Sequence, residues 1–157
     1  MNIPPLAQMA FCMVTASTLA TFLPLVPFEA PAGLIAATSV AGVLFLLPAV
    51  LSFVRHKTTV NPQAPEKTSI LVTSGIYSVT RNPMYVGMLI VLMAFVLWLG
   101  AVSAILVLVE FFLMIDRVQI RDEEAALSQI FGKPFEDYAA RVPRWLFIST
   151  KQGVTND

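Results

Sequence analysis

Residues 32–54 read AGLIAATSVAGVLFLLPAVLSFV, a run without a charged side chain that ends at Arg55, His56 and Lys57. Crossing a hydrocarbon core about 30 Å thick takes about 20 mostly apolar residues in a helix. The stretch therefore predicts a membrane span, and its flanks extend the pattern. Upstream, residues 6–28 form a second span of the same kind, and Pro24, Pro27 and Pro31 around Glu29 mark the turn between the two. Proline ends helices there because it lacks a backbone donor and clashes with the preceding turn. Downstream, Asn82 to Val109 again carries no charge. As one helix, the block from Met84 to Ile115 would be roughly 48 Å long at about 1.5 Å per residue, too long for one untilted crossing. Gly100 at its middle splits it into spans 84–99 and 101–115, with Trp98 near the interface, where aromatic belts occur.

Composition agrees. Of 157 residues 57% are hydrophobic and 13% charged, against about 25% charged in an ordinary soluble domain. Glu29 is the only Asp, Glu, Lys or Arg in the first 54 residues. The net charge of zero excludes a nucleic-acid partner, since phosphate binding draws on an excess of Lys and Arg. Cys12 is the single cysteine, so neither an internal disulfide nor a cysteine-based metal motif can form. The start of the chain lacks the positive charge of a signal peptide, and its first apolar run is expected to be a retained helix.

The fold expected is all-α, a polytopic membrane helical bundle of about four spans with a cytosolic C-terminal helical cap. It is read as one domain over 1–157, with a cytosolic connector at 55–83 and a cytosolic tail at 116–157. Short basic loops stay in the cytoplasm. Arg55, Lys57, Lys67 and Arg81 in the connector, with Arg117, Arg121, Lys133, Arg141 and Arg144 in the tail, place both termini inside.

Three segments stand out as carriers of chemistry. In the helix expected after the last span, at about 100° per residue, Ile120, Leu127 and Phe131 share an apolar face. Glu124 falls inside that face, with Glu123 at one edge and Arg117 at the other. An unpaired buried carboxylate costs several kcal/mol. Two readings stand: an ion pair with Arg117, Arg121 or Arg81, or hydrogen bonds to the ammonium or hydroxyls of a ligand. The second segment is Arg81-Asn82-Pro83-Met84-Tyr85-Val86-Gly87. Asn82 suits an N-cap and Pro83 the first helical turn, while Tyr85 and Gly87 need another reason. The free N–H groups of such a helix start, with Arg81 beside them, suit an anion. The third segment holds Phe131, Gly132, Phe135, Tyr138 and Val142-Pro143-Arg144-Trp145. Gly132 suits a C-cap, and the aromatics either pack the tail against the membrane surface or wall an adenine pocket.

His56, the only histidine, reads as an interfacial residue. Without a second histidine, zinc sites and serine or cysteine triads find no support, and no metal is expected. No glycine-rich phosphate loop is present.

Taken in order, Ser74-Gly75-Ile76-Tyr77, the Arg-x-Pro-x-Tyr-x-Gly run from Arg81 to Gly87, a hydrophobic hairpin, Glu123-Glu124, Phe131-Gly132, Tyr138 and Val142-Pro143-Arg144 resemble the isoprenylcysteine carboxyl methyltransferase family and its relatives among membrane phospholipid methyltransferases. The resemblance covers roughly Arg55 to Trp145. It implies S-adenosylmethionine as cofactor and a lipid or lipidated acceptor arriving from the bilayer. By the same resemblance, Asn82, Pro83, Tyr85, Gly87, Glu123, Glu124 and Tyr138 are cofactor-binding, with Arg81, Tyr85 and Arg144 catalytic. Asn82 departs from the family, which often has His there, and asparagine cannot titrate.

Methyl transfer needs the acceptor in line with the sulfonium methyl, and positioning supplies much of the rate. A carboxylate acceptor is already deprotonated, whereas an amine must lose a proton to a base. No base is evident in the sequence, which favours carboxyl O-methylation of an isoprenylcysteine-like acceptor, oriented by Arg144 or Arg81, over phospholipid N-methylation. A sterol-reductase-like enzyme using NADPH is a further alternative, for which four short spans are few. A non-enzymatic membrane scaffold is the last, with Glu123 and Glu124 merely paired to arginines.

Overall fold

In the computed structural model of this chain the described residues are 3–52 with their side chains, 53–56 as helix backbone, and 70–146. They are helical throughout, apart from turns, loops and an isolated bridge between Pro27 and Ala101. Lys57, Glu66 and Lys67 lie outside the described residues, as does the side chain of His56.

Helix α1 spans Pro5–Phe22. It starts on a proline, whose missing N–H falls where a helix leaves its donors unpaired anyway. Only Gln8, Cys12 and Ala16, spaced four apart, are buried along it. Leu6 is 74% exposed and Phe22 82%, which suits a hydrocarbon surround rather than water. Hydroxyls that would be stranded in such a surround bond back to carbonyls one turn earlier, Ser17 to Met13 at 2.8 Å and Thr18 to Val14 at 2.9 Å. The expected span 6–28 is too long at its end. The chain leaves the helix after Phe22, because neither Pro24 nor Pro27 can donate to a helical carbonyl and Val26 takes φ 44°.

Helix α2 covers Ala32–His56 and α3 covers Pro83–Leu99. They run antiparallel and cross backbone against backbone. A Cβ on Gly87 would lie 2.9 Å from the Gly42 carbonyl and 2.7 Å from Leu46 Cγ. Small residues let membrane helices approach this closely, so that dispersion contacts hold them where water exclusion offers little. By length and composition, α1 and Ala32–Ser52 of α2 can each cross a membrane, and α3 is a shorter apolar helix.

Gly100 ends α3 in the left-handed region at φ 66°, a conformation that glycine adopts without steric penalty. The two turns meet at this end of the bundle, where Phe28 N–H donates to Gly100 O at 2.8 Å and Val102 N–H to Leu25 O at 3.0 Å. The break expected at Gly100 is therefore present, but the self-contained span expected at 101–115 is not. A 3-10 turn at Val102–Ile105 leads into α4 (Leu106–Met114), which passes through a π-helical turn at Ile115–Gln119 into α5 (Ile120–Phe131). Between Ala101 and Phe131 there is no glycine or proline to interrupt it. Gly132 at φ 55° then turns the chain into α6, Lys133–Arg141.

The main core threads Cys12 and Ala16 of α1, Leu92 and Val96 of α3, Val107 and Phe111 of α4, and Ile115 and Ile120 beyond it. A second cluster of Phe135, Tyr138 and Val142 packs on Leu71, Leu127 and Phe131. The tail aromatics therefore close on one another and on the segment before α3.

Candidate functional site

The start of α3 and the chain after α6 are stitched together. Thr80 is fully buried and donates its hydroxyl to Arg144 O at 2.9 Å, while Arg81 N–H donates to Pro143 O at 2.9 Å. Asn82 stands at the N-cap position but makes no capping bond with its side chain; Nδ2 instead donates to Arg144 O at 3.1 Å. Capping was the expected role, yet a carbonyl brought 62 positions along the chain takes the amide instead.

Onto this seam α5 brings two adjacent acids with different surroundings. Glu124, 8% exposed, lies between two guanidinium groups. Arg81 Nη2 donates to its Oε1 at 2.8 Å, and Arg144 Nη2 to its Oε2 at 2.5 Å. Arg144 Nη1 reaches Asp116 Oδ1 at 3.2 Å, an oxygen that also accepts from Trp145 Nε1 at 2.8 Å. Two arginines and two acids balance in charge, and nearly every donor has a carbonyl or carboxylate, including Arg81 Nη1 with the Ala139 and Val142 carbonyls. Arg81 Nε is the exception, buried and without a partner. Desolvation would lower the pKa of Arg144, but the hydrogen bond and charge of Glu124, reinforced by Asp116, outweigh it and raise it.

Glu123 has no arginine. Its Oε1 accepts from Tyr85 Oη at 2.5 Å and from Gln119 Nε2 at 3.0 Å. Burial pushes its carboxyl above the usual range; those two hydrogen bonds oppose the shift, and the charges of Glu124 and Asp122 add to it. Gln119, 2% exposed, leaves its Oε1 buried and unpartnered, an omission worth about 1–3 kcal/mol in an ordinary fold.

Of the residues named from the sequence, Arg81, Asn82, Tyr85, Glu123, Glu124 and Arg144 come together here. Pro83 forms the buried first turn of α3 just beneath them. Gly87 is placed elsewhere, at the crossing with α2. Tyr138 lies to the side, its hydroxyl donating to Tyr77 O at 2.7 Å and its ring edge-on to Phe135. Burial raises the pKa of the Tyr138 phenol, with Arg81 opposing, so it stays a neutral donor. Among the described residues no group of His, Cys, Asp or Glu is arranged to hold a metal ion.

Asp116 and Gln119 were not anticipated, and the bond from Trp145 to Asp116 was not either. Gln119 stands one turn before Glu123, an i, i+4 pairing visible in the sequence. The π turn was not visible: its extra residue rephases the helix, so Gln119 faces in while Arg117 is exposed. The pairing of Glu124 with Arg117 or Arg121 is thereby excluded, and Arg81 and Arg144 take those places.

The comparisons with known proteins cover this same region. A family model described as phospholipid methyltransferase matches residues 32–134, well over half of the chain. Over 63 residues the chain is 41% identical to a protein of Haemophilus influenzae described only as uncharacterized, covering 40% of this chain and 100% of that one. Over 81 residues it is 41% identical to a protein-S-isoprenylcysteine O-methyltransferase of Schizosaccharomyces pombe, covering 49% of this chain but only 33% of that enzyme. No solved structure matches it.

Proposed function

Because this chain belongs to the phospholipid methyltransferase family, we propose that it is an S-adenosylmethionine-dependent enzyme that methylates a lipid-borne acceptor where the start of α3 meets α5. The observation that carries the reading is Glu123, a half-buried carboxyl held by Tyr85 and Gln119 with no cation paired to it among the described residues. A scaffold that merely paired its acids with arginines accounts for Glu124 and leaves Glu123 without a purpose.

The donor set suits the cofactor. Arg81 Nε is a buried N–H with no acceptor, fitted to a carboxylate or hydroxyl. Glu123 is a half-buried carboxyl fitted to an ammonium. These two would hold S-adenosylmethionine, which when bound supplies an electrophilic methyl group. The chain's own residues fix the positions: Glu124 locks Arg81 and Arg144 in place, and Thr80 and Asn82 tie the tail to the helix start. A preorganised polar setting of this kind needs no rearrangement as charge moves.

The structure bears on the acceptor as well. In the sequence a carboxylate acceptor was favoured because no base was evident. Glu123 offers a carboxyl that burial holds above the usual range, a direction that suits a base. The arginines that would orient a carboxylate are both engaged by Glu124. These points favour an amine acceptor, as in a phospholipid headgroup, with Glu123 taking the proton where the donor's ammonium does not occupy it. The 41% identity over 81 residues to the isoprenylcysteine enzyme supports a carboxyl acceptor as the second reading.

The test is to incubate detergent-purified protein with methyl-labelled S-adenosylmethionine and membrane lipid extract. Label in a lipid product supports the enzyme, and mild alkali then separates the acceptors, since a methyl ester releases labelled methanol and an N-methyl group does not. Absence of labelled product from lipids of several compositions rules against the reading.

A further inference from the structure

Gln119 is the residue of the site that neither capping nor packing explains. It closes the π turn at Ile115–Gln119 and is 2% exposed. Such turns are a departure from regular helix that occurs often at functional sites. With Glu123 ionised its amide orientation follows from chemistry: Nε2 donates to Glu123 Oε1 at 3.0 Å, and the reverse orientation would set one acceptor against another. The amide oxygen Oε1 is left buried with no donor. Beside it, Glu123 Oε1 already takes two donors, and no donor to Glu123 Oε2 is recorded among the described residues.

Two acceptors one helical turn apart, one neutral and one carboxylate, lack the same thing, a cation with several N–H donors. An alkylammonium has three such donors. A metal ion fits poorly, since the described residues offer no group of three ligands for it. An anion is repelled by Glu123. Resting on the reading of the chain as an S-adenosylmethionine-dependent methyltransferase, we propose that Gln119 Oε1 and the Glu123 carboxylate together receive an alkylammonium group, with Gln119 as the neutral half of the receptor. Two molecules at this site carry that chemistry: the amino-acid end of the methyl donor and an amine headgroup of the acceptor.

The test compares Gln119→Met, close in shape but without the amide, with the wild-type protein in detergent micelles. Two nucleoside thioethers are titrated by calorimetry: S-adenosylhomocysteine, which carries the ammonium, and methylthioadenosine, which lacks the amino-acid end. If the methyl donor supplies the cation, Gln119→Met weakens S-adenosylhomocysteine about ten-fold or more and leaves methylthioadenosine unchanged. If the acceptor supplies it, neither thioether is affected, and KM for vesicles of phosphatidylethanolamine rises about ten-fold. Glu123→Gln gives the same selectivity and serves if Gln119→Met fails to fold. Equal weakening of both thioethers by a folded variant, or no change in either thioether or in KM, overturns the proposal. Wild-type protein that binds neither thioether overturns the methyltransferase reading itself, an outcome distinct from a receptor that is absent from a working enzyme.

Discussion

The two halves of this molecule handle their surroundings in opposite ways. From Pro5 to Ser52 large apolar side chains point outward, Leu44 at 64% exposure and Val14 at 66% among them, and polar groups are satisfied locally by carbonyls four residues back. Where the start of α3 meets α5 and the tail the reverse holds, with Arg81, Arg144, Glu124 and Asp116 turned inward and satisfied by partners 20 to 61 positions away. A surface that faces lipid can be apolar at little cost, whereas buried charge persists only where every group is matched. Three buried polar atoms among the described residues break that matching, Gln8 Oε1 on α1 and, at the seam of α3, α5 and the tail, Gln119 Oε1 and Arg81 Nε.

The contrast is broken most severely by removing the acid that two arginines share. Glu124→Ala should lower stability by about 3–5 kcal/mol, because it strands buried cations. Thermal unfolding in detergent reads this, with exposed Glu29→Gln as a control expected to stay within about 0.5 kcal/mol. Equal shifts would mean that Arg81 and Arg144 do not depend on Glu124.

Next in size is the joint between the halves. Gly87→Ala places a methyl 2.9 Å from the Gly42 carbonyl, and overpacking of this kind costs about 1–3 kcal/mol. The same unfolding measurement checks it, and a neutral result would deny the backbone crossing of α2 and α3.

A smaller effect depends on pH. Burial holds the Glu123 carboxyl above the ordinary glutamate value of 4.5 in the folded protein. The folded protein therefore holds that proton more tightly than the unfolded chain does, and stability falls as pH rises from about 4.5 through the folded pKa. Glu123→Gln removes the dependence. Relative to this variant, the wild-type protein should lose stability as pH rises above about 4.5, and parallel curves there would contradict the raised pKa. The smallest change is expected in the lipid-facing half, where Leu44→Ala should shift unfolding by no more than about 0.5 kcal/mol. A larger loss would mean that Leu44 is covered by a partner.

How much of this was legible in the sequence follows the same division. Charge placement marked the apolar helices, since a run such as residues 32–54 has one physical interpretation. Proline and glycine marked the turn around Glu29 and the break at Gly100, although the first span expected to run to residue 28 stops at Phe22, two residues before Pro24. In the second half the wheel turned Glu124 inward correctly, because α5 is regular from Ile120 onward. It misplaced Arg117, because the π turn just before carries no signature in composition or spacing. Asn82 shows the other limit: its local options included a cap, but a distant carbonyl of Arg144 took its amide. Long-range partners decide buried polar groups, and no window of sequence contains them.

The central claim is that the unmatched groups around Glu123 exist to hold the methyl donor or its acceptor. It is tested most directly by calorimetry of the wild-type protein, Glu123→Ala and Leu44→Ala with S-adenosylhomocysteine in several lipid and detergent environments. The account predicts saturable one-to-one binding by wild type and Leu44→Ala, weakened about ten-fold or more in folded Glu123→Ala if the donor's ammonium rests there. No binding by wild-type protein in any environment would contradict the account.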